Sequence, residues 1–232
     1  MSDPTVSVVV PWVGGDPWRG QAWAWVRARF AEAHPDWEVV TGSCPPGPFN
    51  RSAAILDGAR QASGAVLVVA DADVWCDPAE AVQHAHGVGW AVPHTLIHRL
   101  SKESTVQVLT GSDWRGLPLS TDNPQDAKPY RGNETGTLVV LRADVLAEVP
   151  PDPRFVGWGQ EDQAWGLALR TLVGAPWRGP DDLVHLWHPP QPRQNRVVGS
   201  EANMGLLRRY QAARRDPGAM RRLVDESTAV PV

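Results

Sequence analysis

Short, continuous apolar runs alternate with longer stretches of helical periodicity over the first 75 residues. The runs TVSVVVPWV, WEVVTG and AVLVVADADVW are rich in β-branched residues, and the stretches between them, 16–35 and 50–64, space their apolar residues for one face of a helix. Strands without polar alternation are typical of a parallel sheet that helices cover on both faces. The pattern therefore predicts an α/β fold with a mostly parallel central sheet and helices on both faces.

Local signals mark the helix boundaries and the elements of the second half of the chain. Asp16 and Pro17 suit an N-cap and a first helical residue, and Gly64 closes the second predicted helix. Strands are expected within 89–100, 136–149 and 182–190, a helix over 159–174, and one or two terminal helices from an N-cap at Ser200, with a break at Asp216-Pro217.

Composition narrows the class of protein without identifying it. A chain of 232 residues is long enough to bury a core without disulfides or metals, and Cys44 and Cys76 have no metal-ligand spacing. A net charge of −4 gives no global basic field that would recruit nucleic acid. The N-terminus lacks the layout of a signal peptide and no apolar run reaches about 18 residues. We therefore expect a soluble, cytoplasmic protein.

Paired carboxylates, Asp71 and Asp73, follow the third apolar run at its predicted carboxyl end. Ligands of open α/β sheets bind at such strand ends. On a regular strand the two would share a face, whereas beyond the strand end one can reach a metal ion and the other a neighbouring hydroxyl. Such oxygen ligands with imidazoles suit Mn²⁺ or Mg²⁺ on a diphosphate. The alternative is ordinary strand capping by Asp, which the triplet taken alone favours.

His185 and His188 lie at the end of the last predicted strand. Residues three apart on a straight strand point to opposite faces, so both bind one ion only if the chain bends, which Pro189-Pro190 would encourage. His188 is the favoured ligand because it is closer to the strand end. The alternative is a structural histidine.

The segment GWGQED, 157–162, combines a glycine-flanked Trp with two acids that begin a helix. Favourable helix N-terminal electrostatics accounts for Glu161 and Asp162 but not for the Gly-Trp-Gly loop. Trp158 is suited to stack on a pyranose, and a carboxylate beside it is suited to act as general base for a sugar hydroxyl.

Four motifs in one order carry a resemblance to a known family. They are FNRSAAILDGAR (49–60), VVADADV (68–74), GWGQED (157–162) and HLWH (185–188). Together they resemble metal-dependent glycosyltransferases of the GT-A fold, closest to the β-1,4-galactosyltransferase-like group, with similarities to chondroitin-synthesising and polypeptide N-acetylgalactosaminyl enzymes. The resemblance covers roughly residues 5–190. It implies a GT-A catalytic domain over 1–195 and an Arg-rich helical extension, 196–232, packed on the same domain.

The resemblance also implies roles for individual residues. Asp162 would be the general base, with Glu161 beside it, and Gln160 replaces a glycine common in the group. His185 stands where the group often has Met, so it becomes a second imidazole ligand. The implied donor-nucleotide contacts are Pro11, Trp12, Phe49, Arg51, Asp71, Ala72 and Asp73; the acceptor contacts are Trp158 and Gly159; the metal ligands are Asp73, His188 and His185.

The expected activity is transfer of a sugar from a UDP-sugar to a hydroxyl acceptor with Mn²⁺, or Mg²⁺ in its place. A single displacement would invert the anomeric configuration, although retaining enzymes share similar metal motifs. The acceptor stays open among a hydroxylated DNA base, a protein and a glycan. The arginines of the C-terminal segment are most simply a solvated helix face, and would otherwise hold an acidic acceptor.

Two other classes of protein are weighed against this expectation. A sugar nucleotidyltransferase would carry a Gly-rich, basic loop after the first strand, which PWVGGDPWRG imitates poorly. A non-catalytic carbohydrate- or nucleotide-binding module would be free to lose Asp71, Asp73, Asp162 or His188, and all four are intact.

Overall fold

One curled sheet organises the chain in a computed structural model that describes residues 3–157, 159–189 and 193–229. Its strands, in the spatial order β2-β1-β3-β6-β5-β7-β4, are β1 (Val6–Pro11), β2 (Glu38–Gly42), β3 (Val66–Ala70), β4 (Val74–Trp75), β5 (Trp90–Arg99), β6 (Leu138–Arg142) and β7 (Trp177–His185). The helices are α1 (Pro17–Ala33), α2 (Arg51–Gln61), α3 (Ala79–Val88), α4 (Lys102–Leu109), a 3-10 turn (Pro124–Ala127), α5 (Ala143–Glu148), α6 (Glu161–Leu172), α7 (Arg193–Ala213) and α8 (Pro217–Thr228).

The direction of the strands brings several carboxyl ends to one edge of the sheet. β1 is parallel to β2 and β3, and β5 is parallel to β7, while β6 runs antiparallel between β3 and β5. Consequently β1, β2, β3, β5 and β7 share one direction, and the predicted mostly parallel sheet is confirmed. Because β3 and β7 end at the same edge, residues that follow Ala70 and His185 can meet there.

Helices cover both faces of the sheet, as the apolar runs predict. Along β1, Val9 packs in a core with Trp165 of α6, whereas Val8 and Val10 pack in a second core with Phe30 of α1. All three valines are fully buried. Burial on both faces is the reason why these strands show no polar alternation.

The third apolar run does not form the single strand that its composition predicts. β3 ends at Ala70, the chain turns over Asp71–Asp73, and β4 then pairs antiparallel with β7. The turn is held where the Leu186 amide donates to the Asp73 carbonyl at 2.8 Å. Because of this turn, the shared-face arrangement of two strand aspartates does not apply.

The helix ends agree with the local signals at α1 and differ at α2 and α7. Helix α2 ends at Gln61 with Ala62 as its C-cap, before the predicted end at Gly64. Asp16 caps α1 through its side chain and Pro17 follows, as expected. The predicted break at Asp216-Pro217 separates α7 from α8, and Asp216 there caps α8 through its side chain. The predicted N-cap at Ser200 is wrong, because α7 already begins at Arg193. Helices α3 and α4 were not anticipated, although Ser101 caps α4 by accepting from the Ser104 amide.

The C-terminal helices α7 and α8 pack on α6 and share its core. Tyr210 of α7 and Met220 of α8 are buried in the cluster that contains Trp165. Two C-terminal arginines form ion pairs at the surface, Arg209 with Glu226 and Arg221 with Glu148. None of the described helices is both long enough and apolar enough to cross a membrane.

Candidate metal and donor site

Asp73, His185 and His188, hereafter the Asp73 cluster, meet at the carboxyl edge of the sheet. One potential ligand atom from each residue lies within 4.8 Å of the others. The Nε2 atoms of His185 and His188 are each 3.4 Å from an Asp73 carboxylate oxygen, Oδ1 and Oδ2 respectively. Asp73 and His185 are buried, with only 4% and 5% of their surfaces exposed.

The chain bends in the way that joint ligation requires. β7 ends at His185, which pairs with Val74, and Leu186 then bonds to the Asp73 carbonyl. Residues 186–189 are not in a strand, so side chains there do not alternate between the two faces of the sheet. His185 and His188 can therefore point to the same side. The geometry gives His188 no advantage over His185, because both rings are equally far from Asp73.

The protonation chemistry of the Asp73 cluster fits a divalent metal ion. Burial, and then Arg99, lowers the pKa of His185 well below its ordinary value, so the ring is neutral, and neither ring nitrogen has a hydrogen-bond partner among the described residues. Nδ1 of His188 lies 2.9 Å from the Pro189 carbonyl. In the tautomer whose Nδ1 donates this bond, Nε2 carries no proton and is free to bind a metal ion, and such a hydrogen bond fixes the orientation of the ring. One carboxylate and two imidazoles suit Mn²⁺.

Arg19, in the first turn of α1, is a member of this site that the motifs did not reveal. Its Nη1 lies 3.4 Å from Asp73 Oδ2. Its Nη2 lies 3.0 Å from His188 Nδ1 and donates to it only in the other tautomer, in which Nε2 carries the proton. The signal available in the sequence is an arginine at the start of the helix that follows the first strand. Its position beside the cluster suits contact with a bound phosphate.

Asp71 has a different partner from Asp73. Its Oδ1 accepts from Arg51 Nε at 2.7 Å, and its amide donates to the Thr137 carbonyl at 2.9 Å. Arg51 begins α2, where Asn50 caps the helix. Burial raises the pKa of Asp71 to about 6, and the Arg51 charge opposes that rise. The two carboxylates of the triplet therefore face separate tasks, as the sequence suggested for positions beyond a strand end.

The other residues that the resemblance assigns to donor and acceptor contacts lie at the same edge or in the adjoining loop, where the structure describes them. Pro11 is the last residue of β1 and pairs with Gly42, and Trp12 follows the strand and contacts Gly42 and Trp23. Ala72 is buried within the turn. The Phe49 carbonyl accepts from the Gly157 amide at 3.1 Å. This hydrogen bond joins the 49–51 segment to the segment that contains Gly157 and Gly159, hereafter the glycine loop. Trp158 lies outside the described residues.

Asn203 of α7 holds the glycine loop and was not anticipated. It is 2% exposed, and its Nδ2 donates to the carbonyls of Val156 at 3.2 Å and Gly159 at 3.0 Å. An asparagine in the middle of a long helix carries no signal of this contact, because its partners lie more than 40 positions earlier in the chain.

Asp162, in the first turn of α6, is fixed in a single orientation. Its Oδ2 accepts from Asn133 Nδ2 at 2.8 Å, its Oδ1 accepts from the Gln163 amide at 2.7 Å, and its own carbonyl accepts from Thr135 Oγ1 at 2.6 Å. Gly136 permits this approach, since a Cβ there would lie 2.8 Å from Asp162 Oδ2. A fixed carboxylate at a helix N-terminus is suited to receive a proton from a bound hydroxyl.

The environment of Glu161 predicts that folding stability depends on pH. Burial, and then the charge of Asp162, raises the pKa of Glu161 to about 7. Because the folded-state pKa exceeds the unfolded one, the stabilising contribution is complete below the unfolded value, about 4.3, and is lost as the pH rises to 7. Between pH 5 and 7.5, metal-free wild type should lose about 1 kcal/mol or more of unfolding free energy relative to Glu161→Gln in urea titrations.

The control for this measurement is Glu103→Gln, which changes an exposed acid in the first turn of α4. It should follow the wild-type pH profile. Parallel profiles for wild type and Glu161→Gln would contradict the raised pKa.

The backbone conformation of Gln160 predicts that glycine at this position stabilises the fold. Gln160 precedes α6 with φ 77° and ψ −17°, in the left-handed region, and its buried Oε1 has no partner among the described residues. A non-glycine residue in this conformation costs about 1–2 kcal/mol of folding free energy. Glycine removes that cost but loses more conformational entropy on folding, which takes back about 0.5–1 kcal/mol. Gln160→Gly should therefore raise Tm by about 2–4 °C for each 1 kcal/mol gained, measured by thermal unfolding. The control Gln163→Gly lies inside α6 and should lower Tm. A lower Tm for Gln160→Gly would contradict the prediction.

Comparisons with solved structures identify the fold class. The chain is similar to glucosyl-3-phosphoglycerate synthase of Mycobacterium tuberculosis, with a TM-score of 0.51 and 14% identity over 91% of this chain and 80% of that chain. The fold is therefore GT-A, as the motifs suggested. A complex of that synthase with Mn²⁺, UDP-glucose and phosphoglyceric acid gives a TM-score of 0.49 at 14% identity, over 91% of this chain and 79% of that chain.

The chain is also similar to a mutant Drosophila β-1,4-galactosyltransferase 7 in complex with manganese, UDP-Gal and xylobiose. It has a TM-score of 0.47 and 14% identity over 84% of this chain and 74% of that chain. No protein-family model matches the sequence, and no curated protein sequence matches it.

Proposed function

We propose that this protein is a glycosyltransferase that moves a sugar from a UDP-sugar to a hydroxyl acceptor with the help of a divalent metal ion. The observation that carries the proposal is the Asp73 cluster at the carboxyl edge of a GT-A sheet. Arg51 with Asp71 lies near one side of it, and Glu161 with Asp162 begins the helix beyond. A metal site, a basic contact and a fixed carboxylate are the parts that such a transfer needs.

Asp73, His185 and His188 would hold the ion, Mn²⁺ or Mg²⁺, which when bound neutralises charge on the diphosphate. Arg19 and Arg51 would add charge-assisted hydrogen bonds to the nucleotide. Asp71, held by Arg51, would accept a hydrogen bond from a ribose or sugar hydroxyl. These contacts fix the donor so that its anomeric carbon faces the acceptor.

Asp162 would take the proton of the acceptor hydroxyl as that oxygen attacks the anomeric carbon. The bond between this carbon and the UDP oxygen breaks with its electron pair leaving on UDP. Attack from the side opposite the leaving group inverts the anomeric configuration. A general base of this kind contributes about 10²–10⁴-fold to the rate.

The experiment that tests the proposal measures UDP release from a panel of UDP-sugars with Mn²⁺, with Mg²⁺ and with EDTA. We expect metal-dependent release from one sugar above the others, even without an acceptor. Pyrophosphate release from UTP and a sugar 1-phosphate would instead indicate a nucleotidyltransferase. Metal-independent binding of sugar or UDP, without release from any donor, would indicate a binding module.

A further inference from the structure

A cavity of about 290 Å³ opens beside Asp162, between α6 and the segment that precedes β6. Its lining includes three cationic side chains, Arg131, Arg170 and Arg178, and two anionic ones, Glu134 and Asp162, together with Asn133 and Gly166. These seven residues define the arginine cavity. The three arginines come from a loop, a helix and a strand, so only the fold brings them together.

The guanidinium groups of the arginine cavity are incompletely neutralised. Glu134, 13% exposed at its side chain, receives two contacts from Arg170, including Nε to Oε2 at 2.7 Å. Arg178 reaches the same carboxylate only at 3.4 Å, and its Nη1 donates to the His94 carbonyl at 2.8 Å. Arg131 makes no hydrogen bond or ion pair with the described part of the chain. One carboxylate thus serves two arginines and leaves a third without a partner.

Burial makes the positive charge of Arg178 costly. The Arg178 side chain is 15% exposed. Its pKa is lowered by burial and then by the charge of Arg131. An anion placed between Arg131 and Arg178 would relieve that repulsion and accept forked hydrogen bonds from both.

We infer that the acceptor is a small hydroxylated molecule with a phosphate or carboxylate group, held by Arg131 and Arg178 while its hydroxyl faces Asp162. This inference rests on the proposed function, since Asp162 has a role only in a transfer. Arg170 keeps Glu134 in place and so positions Arg178. The volume suits a small molecule better than a duplex, whose phosphates need an extended basic surface.

In this arrangement the anionic group of the acceptor stays apart from the carboxylate of Asp162. A hydrogen bond from Asn133 fixes that carboxylate. The acceptor therefore spans the cavity, with its hydroxyl at the carboxylate and its anionic group at the guanidinium groups. A neutral acceptor of the same size would leave Arg131 without an ionic partner among the described residues and Arg178 with only its 3.4 Å contact to Glu134.

The test compares acceptors in matched sets, each assayed for UDP release above basal donor hydrolysis. The sets are 3-phosphoglycerate, glycerate and glycerol, and glucose 6-phosphate, glucuronate and glucose, with a duplex that contains 5-hydroxymethylcytosine alongside. We expect phosphate- or carboxylate-bearing members to exceed their neutral partner in kcat/KM by roughly 10- to 100-fold. The sets distinguish phosphate from carboxylate.

Variants then assign the effect to the cavity. Arg131→Gln, at an exposed position, and Arg178→Gln should each remove most of the preference for the charged acceptor, with folding checked by thermal unfolding. Arg115→Gln changes an exposed arginine that pairs with Asp113 outside the cavity, and should retain the preference. Equal use of neutral acceptors, preference for the duplex, or an unchanged preference in both cavity variants would overturn the inference.

A measurement of anion binding tests the inference even if the enzyme transfers sugar to no acceptor of the panel. Calorimetry with inorganic phosphate and with acetate, without donor or metal, should show tighter binding to wild type than to Arg131→Gln for at least one anion. Equal or absent binding of both would overturn the inference. Failure of the proposed function has a different outcome, namely no metal-dependent UDP binding and no donor hydrolysis.

Discussion

Asp73→Asn is expected to abolish metal-dependent UDP binding and to lower donor hydrolysis by about 10³-fold or more, equivalent to several kcal/mol of metal assistance. Asp73 is the only carboxylate of the cluster, and both histidine rings lie 3.4 Å from it. The amide keeps the shape of the side chain but removes the negative charge. Two neutral imidazoles alone make a weak site for a hard cation.

Calorimetric titration of UDP, with Mn²⁺ and with EDTA, measures this effect directly. Asp113→Asn is the matched control, because Asp113 is exposed and pairs only with its neighbour Arg115 among the described residues. It should bind UDP as wild type does. Should Asp73→Asn keep the same dependence on Mn²⁺, the metal would have to lie elsewhere.

Asp162→Asn is expected to lower sugar transfer by about 10²–10⁴-fold while metal-dependent UDP binding is retained. The reason is that Asp162 contacts Asn133 and Thr135 and makes no contact with the Asp73 cluster. The substitution keeps the size of the side chain and removes its capacity to accept a proton at neutral pH. Single-turnover transfer, measured beside UDP binding, separates the two effects.

Asp144→Asn is the control for this variant because Asp144 occupies the same second position in its helix, α5, as Asp162 does in α6. Any general effect of removing a first-turn charge appears in both variants. Transfer by Asp162→Asn within about threefold of wild type would exclude it as the base. Glu161 would then be the next carboxylate to test.

The sequence predicts most of the edge at which the site forms, because that edge depends on local patterns. Continuous apolar runs indicate buried parallel strands, and the residues that follow them include Asp71, Asp73 and His188. The turn over Asp71–Asp73 could not be predicted, since strand propensity continues through Val74. Pairing of two residues with β7 decides it, and such pairing is a property of the tertiary fold.

Residues that join the site from distant positions leave no pattern in the chain. Arg19 and Asn203 act on motifs that lie 54 and 44 residues away. Arg131 and Arg178 are separate surface-type residues in the sequence and become neighbours only through the fold. Spacing arguments detect side chains that share a strand or helix, and so they miss a cavity assembled from three elements.

Asn203 also links the position of Glu161 and Asp162 to the C-terminal helices. Its two hydrogen bonds attach the carbonyls of Val156 and Gly159 to α7, which in turn packs with α8 on α6. Opening of these terminal helices would release the backbone next to Glu161 and Asp162. Tyr210 and Met220 bury the same helices in the cluster around Trp165, so the position of these two acids and the packing of the C-terminal helices depend on one another.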